Sequence, residues 1–359
     1  MEDVALSDAC WRGRRVFLTG HTGFKGGWLA LWLKQLGAQV YGYALDPSTI
    51  PNLFAVAGIA GDMAGETRAD VRDERALREA LSAAAPEIVL HLAAQPLVRQ
   101  SYADPVATYA VNVLGTVHLL EAARHCPSVR AIVNVTTDKC YENREWIWGY
   151  REFEPLGGVD PYSSSKACAE LVSAAYRESF FRQSAIGLAT ARAGNVIGGG
   201  DWSPDRLLPD FFRAAQAGAA LVVRHPDATR PWQHVLEPLR GYLMLAQQLY
   251  QHGAQFAGAW NFGPRLEDAR PVRDLLDTVT RLVPGTAWQR AAGAHPHEAH
   301  TLKLDSSKAR AELAWSPCWN LTQALEHTVR WHEAWRRGAD MHAFSLAQIA
   351  DYQHAAARG

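Results

Sequence analysis

The sequence predicts an α/β protein: a doubly wound parallel sheet with helices on both faces, followed by a smaller C-terminal lobe. Three observations carry this prediction. Short apolar, β-branched runs alternate with longer helical patterns from the start of the chain to Arg192. A glycine-rich turn follows the first of those runs without a gap. After Arg192 the texture changes to loops dense in Gly, Pro, Trp and polar residues.

The strand candidates are Val16–Thr19, Gln39–Leu45, Glu87–Leu92, Ala131–Thr136 and Ala185–Ala191. They read as continuous apolar runs, the signature of strands buried on both faces. Between them, Trp28–Leu36, Glu74–Ala84, Pro105–His125 and Ser163–Ser179 carry helical periodicity, and strand–helix alternation implies parallel crossovers. This gives a dinucleotide-type domain over residues 1–191, with a returning segment near 233–263. A second lobe covers 192–232 and 264–340, and a tail covers 341–359.

At 359 residues and 48 % hydrophobic, the chain is long enough for a large core and a second lobe. Its formal net charge is -1, with no basic run, so neither nucleic acid nor an anionic membrane is an expected partner. Five cysteines, an odd number without a CxxC pair, fit reduced thiols in a cytoplasm. The N-terminal residues lack an apolar leader, and no run is expected to span a bilayer.

The turn after the first strand is Gly20-His21-Thr22-Gly23-Phe24-Lys25-Gly26. Small residues there let backbone approach a pyrophosphate, and the helix it opens presents free N–H groups and a partial positive charge. The fold is therefore of the Rossmann type, with NAD as expected cofactor. Asp46, ending the second strand, suits a ribose 2′-hydroxyl and repels a 2′-phosphate; its plainer reading is the first residue of an Asp-Pro turn. Asp70 and Val71 are placed beside the adenine, and Leu92-Ala93-Ala94-Gln95 pass under the dinucleotide.

Tyr162 and Lys166 form a YxxxK pair whose members share one helix face. A tyrosine ordinarily titrates near about pH 10, so using it as a base near neutrality requires positive charge beside it. The Lys166 ammonium and a cationic nicotinamide are the expected sources. At the end of the fifth strand candidate's predecessor stands Thr136-Thr137-Asp138-Lys139. The C-terminal end of a parallel strand is where ligands sit. Thr136 is expected against the cofactor, Thr137 on a substrate oxygen and Asp138 as an acid.

Together, Gly20–Gly26, Thr137-Asp138-Lys139 and Tyr162/Lys166 resemble the extended short-chain dehydrogenase/reductase family. GHTGFKGGWL, TTDKCYEN, DPYSSSKACAEL, ARAGNVIGGGDW and RPWQHVLEPL are similar to its sugar-nucleotide 4,6-dehydratase branch that takes CDP-glucose. The resemblance spans about residues 14 to 335. It implies Tyr162 as base at the 4-hydroxyl, Asp138 as acid to the departing 6-hydroxyl, and a 4-keto-6-deoxy product for dideoxyhexose and O-antigen sugar biosynthesis. It also implies Asn195, Arg206, Arg230 and Gln233 on the nucleotide, and a homodimer, or a homotetramer, built on the helices 105–125 and 163–179.

One departure stands out. Enzymes of the dTDP type carry Glu where Lys139 stands. Whether Lys139 removes the carbon 5 proton as an amine or holds the enolate as a cation is open at this point. So are a dTDP-, UDP- or GDP-hexose as substrate, a 4-epimerase, and a dinucleotide sensor without turnover. Asn112 reads as a buried polar brace or relay, and the Trp146–Trp148 and Trp315–Trp319 stretches as packing. His295, His297 and His300 form an HxHxxH cluster, but no metal is expected.

Overall fold

The structure, a computed structural model, describes residues 6–292 and 301–358. Its centre is a seven-stranded sheet. The strands are β1 (Arg15–Thr19), β2 (Gln39–Ala44), β3 (Gly65–Arg68), β4 (Ile88–His91), β5 (Ala131–Val135), β6 (Gly187–Ala193) and β7 (Gly258–Phe262). They lie in the order β7-β6-β5-β4-β1-β2-β3, every neighbouring pair parallel. Strand order switches sides between β1 and β4, which leaves a crevice at the carboxyl ends of these two parallel strands. Two strands escaped the sequence reading. β3 alternates exposed and half-buried residues, and β7 arrives from far down the chain.

Residue alternation fills the two faces. Val16 and Leu18 of β1 join one core, while Phe17 joins the other. The first face is covered by α1 (Phe24–Gln35), which buries Trp28, Leu29, Leu31, Trp32 and Leu33. The second is covered by α2 (Glu74–Ala84), α3 (Pro105–Arg124) and α4 (Pro161–Tyr176). Asp73 and Asp160 cap α2 and α4 by accepting backbone N–H groups in the first turn. Beyond the sheet, α5 (Leu207–Gln216) and part of the C-terminal third gather a separate apolar cluster that includes Phe211, Leu275, Leu276 and Leu325.

Two expectations are corrected. α3 is not a plain helix but widens into a π turn at Ala110–Leu114. There Asn112 accepts the Gln95 N–H at 2.8 Å and donates to the Gln95 carbonyl and Ser165 Oγ. It is a brace that ties the loop after β4 to α4. By length and composition alone α3 reaches the range of a membrane-crossing helix. Its apolarity serves the second core, through Leu119 and Leu120. Finally, the supposed tail is a helix.

That helix completes the first face. α6 (Leu236–His252) packs beside α1, and α7 (Leu321–Arg336) leads into α8 (Met341–Ala356). Tyr352 of α8 sets its ring edge-on to Trp32 and Trp319 and donates to the buried Glu237 carboxylate at 2.6 Å. Trp315 and Trp319 are buried, as packing residues should be, whereas Trp148 stays 56 % exposed. His295, His297 and His300 lie outside the described residues.

Candidate active site

The glycine turn sits at the crevice. Gly20 has φ +75°, and a Cβ on Gly26 would lie 2.1 Å from the Gly20 carbonyl oxygen, so neither position tolerates a side chain. Gly23 caps α1 without a side-chain hydrogen bond, which leaves the first N–H groups of the helix free for an anion. Thr22 faces away, donating to the Leu45 carbonyl at 2.9 Å, and steadies the loop after β2. Phe24 opens α1.

Asp46 lies just past β2 with its carboxylate 88 % exposed, 3.7 Å from the Arg68 guanidinium. Arg68 comes from β3, so the sequence did not reveal this neighbour. Asp70 is forked by Arg72 at 2.6 and 3.0 Å, which holds its carboxyl below the usual range. Val71 is buried against Gly115. Leu92 and Ala93 donate their N–H groups to Thr19 Oγ, and Ala94 leads to Gln95, whose side chain donates to Thr108. These bonds shape the floor of the crevice from backbone and small side chains, and the set as a whole fits a dinucleotide.

At the end of β5 four polar groups converge. The Thr137 hydroxyl donates to Asp138 at 3.0 Å, and the second Asp138 oxygen is buried with no hydrogen-bond partner. Burial pushes the Asp138 carboxyl up, against Lys139, Thr137, Arg230 and Lys25, which pull it down. Lys166 donates to the Val135 carbonyl at 3.2 Å, and burial brings its ammonium down to about 8. Tyr162 is buried on the same face of α4.

The expected lowering of the Tyr162 phenol by Lys166 is not what the chain itself provides. Burial pushes the phenol up to about 12, and the groups that pull it back are Thr137 and Arg206. Lys166 is occupied with the β5 backbone instead. Thr136 is likewise turned elsewhere than expected: its hydroxyl donates to the buried Glu170, which also binds Thr190 and Arg192.

From the C-terminal side, Arg230 is buried and close enough to Asp138 to act on its charge. Arg206 precedes α5, 3.7 Å from Asp201, and faces Tyr162 electrostatically. Gln233 donates to the Phe262 carbonyl at 2.8 Å and leaves its own carbonyl oxygen unpartnered; the Asn195 carbonyl accepts the Gln233 N–H. Arg206 and Arg230 are thus brought to the catalytic cluster, while Gln233 and Asn195 brace the loop that carries Arg230.

Sequence reasoning missed Lys25 and Tyr242. Lys25 stands in the glycine turn, and its ammonium donates to the Tyr242 hydroxyl at 3.4 Å. Burial, with Arg206 and Lys166 nearby, brings it down to about 7. A signal was available: a cation in the first turn of a helix opposes the helix dipole and calls for a reason. Among the described residues no group of three or more His, Cys, Asp or Glu could hold a metal.

This crevice, glycine turn and tyrosine–lysine helix define an extended short-chain dehydrogenase/reductase. The chain belongs to the GDP-mannose 4,6-dehydratase family, whose sequence profile matches residues 17–260. It is 54 % identical over 354 residues to the CDP-glucose 4,6-dehydratase of Salmonella typhimurium strain LT2, covering 97 % of this chain and 98 % of the relative. Among solved structures it is similar to DesIV, a dTDP-glucose 4,6-dehydratase from Streptomyces venezuelae with NAD and TYD bound. The TM-score is 0.76 at 25 % identity, over 91 % of this chain and 99 % of that one. A UDP-glucose 4-epimerase from Stenotrophomonas maltophila shares the fold, with a TM-score of 0.78 at 21 % identity over 91 % of this chain and all of that one.

Proposed function

We propose that this chain is a hydro-lyase that converts CDP-glucose to CDP-4-keto-6-deoxyglucose and water, with NAD as resident cofactor, in dideoxyhexose and O-antigen sugar biosynthesis. The 54 % identity over nearly the whole of a CDP-glucose 4,6-dehydratase carries the choice of nucleotide and sugar. Elimination rather than epimerisation is supported by Asp138, a buried acid with one free oxygen beside Tyr162, for which a 4-epimerase has no use.

We assign the dinucleotide to residues 1–191 with the returning segment 233–263, and the nucleotide sugar to 192–232 and 264–340. Gly20, Gly23, Phe24 and Gly26 would hold the pyrophosphate with backbone, and Asp46 the adenosine ribose. Asp70, Val71 and Leu92–Gln95 would line the remainder. What the dinucleotide would supply when bound is reversible storage of one hydride, taken from carbon 4 and given back at carbon 6.

Tyr162 takes the proton from the sugar 4-hydroxyl, with Thr137 holding the same oxygen and Lys166 steadying the site from the β5 side. The resulting ketone acidifies the hydrogen on carbon 5. Lys139 serves that carbon in one of two ways, taking its proton or holding the enolate charge while another group takes the proton. Asp138, whose carboxyl burial pushes up, gives its proton to the departing 6-hydroxyl, which leaves as water. Arg206 and Arg230 neutralise the substrate's diphosphate.

The reading also includes a homodimer. Val106 and Leu114 of α3 and Leu171 of α4 are large apolar side chains left 78 %, 52 % and 58 % exposed, as a helix-on-helix seam requires. A cytoplasmic location suits the five unpaired cysteines. The test is to offer CDP-, dTDP-, UDP- and GDP-glucose to the purified chain. We expect the 4-keto product, visible in alkali by its near-ultraviolet absorbance, from CDP-glucose. Turnover of another nucleotide in preference to it would overturn the reading.

A further inference from the structure

A cavity of about 730 Å³ opens between the end of α4, the β6–β7 edge and the segment around Arg151, and none of the residues assigned to catalysis lines it. Its charges are unevenly used. The acids are committed to the fold. Glu170 accepts from Thr136, Thr190 and Arg192, Asp305 accepts the Ser307 N–H at 2.7 Å, and Glu152 accepts the Asn261 N–H at 2.9 Å.

Among the cations, Arg192 is spent on Glu170 and Tyr141, whereas the other three are held more loosely. The Lys308 ammonium donates to one carbonyl, Ala259 at 2.9 Å, and rests over the Trp260 ring at 3.9 Å; no carboxylate lies within ion-pair distance of it among the described residues. The carboxylate paired with Arg177 is its neighbour Glu178, at 3.9 Å, and Arg151 stands 3.7 Å from Asp305. Burial pulls both Lys308 and Arg177 down, against the opposing effect of Glu152 on the first and Glu178 on the second. Phe153 and Leu156 add apolar wall.

We infer that this cavity is an effector site for a small phosphate ester, gripped by Arg151, Arg177 and Lys308, with its carbon portion against Phe153 and Leu156. Its size is that of a metabolite pocket, which runs about 300–1,000 Å³. Three cations on the wall of one cavity suit a phosphate, which offers several oxygens at once. The route to the reaction is short. Arg192 lines the cavity and donates to Glu170 at 2.8 Å; Glu170 holds the hydroxyl of Thr136, whose neighbour is Thr137. An anion that competes for Arg192 therefore loosens or tightens the end of β5, and occupancy changes turnover.

The experiment titrates the full chain with glucose 1-phosphate by calorimetry while excess CDP fills the nucleotide site. We expect a further binding event, weakened about tenfold or more in Lys308→Met and in Arg177→Met, each of which removes one charge-assisted contact. Tyr162→Phe should leave that event intact, which keeps it distinguishable from any failure of the catalytic assignment. Inorganic phosphate should bind at the same place more weakly, lacking the carbon portion. Addition of glucose 1-phosphate should alter turnover in the wild type and not in Lys308→Met. Thermal melts identify a variant that does not fold, and the other then carries the test. No second event, or one undiminished in both folded variants, overturns the site, and turnover indifferent to bound glucose 1-phosphate overturns the coupling.

Discussion

The Thr137 hydroxyl donates to one oxygen of Asp138 at 3.0 Å, while the other oxygen is buried with no partner. One oxygen is thus fixed in direction and the other held ready for a substrate hydroxyl. Asp138→Asn preserves the shape and removes the proton to be given. Elimination should slow by roughly 10²–10⁴-fold, the usual worth of a general acid. The sign with pH follows from the raised carboxyl: the acid works while protonated, so elimination declines as pH rises through its folded value, and Asp138→Asn loses that limb. Product formation followed across pH checks both; an unchanged rate would place the acid elsewhere.

Tyr162→Phe tests the base. The phenol is buried and sits at about 12 in the chain alone, so its replacement by Phe keeps the packing and removes only the proton acceptor. Oxidation at carbon 4 should fall by at least roughly 10²-fold, with NAD affinity by calorimetry retained. Near-normal turnover would remove Tyr162 from the mechanism.

Cofactor choice rests on a balance at the end of β2. Asp46 repels a 2′-phosphate, but Arg68 stands 3.7 Å away. In Asp46→Ala the repulsion goes and the guanidinium remains. NADP affinity should rise and NAD affinity should drop, so the ratio of dissociation constants moves toward NADP by about tenfold, the worth of one charge-assisted bond. An unmoved ratio would show that the ribose lies elsewhere.

The Glu170–Arg192 pair is 3 % exposed on both partners. Glu170→Gln leaves the guanidinium buried without its counterion, which costs about 3–5 kcal/mol. The midpoint of denaturant unfolding measures it. Arg192→Met in the same chain should recover part of the loss, because no lone charge then stays inside; if the double variant is no better than Glu170→Gln, the pair is not the source of the penalty.

The central sheet was legible because its strands are short apolar runs bounded by helical periodicity. Its two edges were not. β3 is Gly65-Glu66-Thr67-Arg68, too polar to signal a strand, and β7 lies among loops that hide its pairing with β6. Motif residues in the turn and on α4 could be read because glycine spacing and YxxxK repeat a local geometry. Lys25, Tyr242 and Arg68 could not, since each matters through a partner remote in sequence: Lys25 meets Tyr242 across 217 positions. Thr136 misled for the opposite reason. It sits where a ligand contact belongs, yet Glu170 from α4 captures its hydroxyl.

The edge strand β7 also fixes when the protein can come into being. Asn261 accepts the Tyr141 hydroxyl and donates to the carbonyls of Tyr150 and Asp305, so one residue late in the chain fastens the segment that follows the catalytic threonine. A ribosome that has delivered everything up to α6 has made every residue assigned to catalysis, but β6 still has a bare flank and Arg192 still lacks its Tyr141–Asn261 neighbourhood. Assembly of the working crevice therefore waits for the last third of synthesis, and until then the growing polypeptide carries an open sheet edge, the feature on which premature pairing with other chains begins.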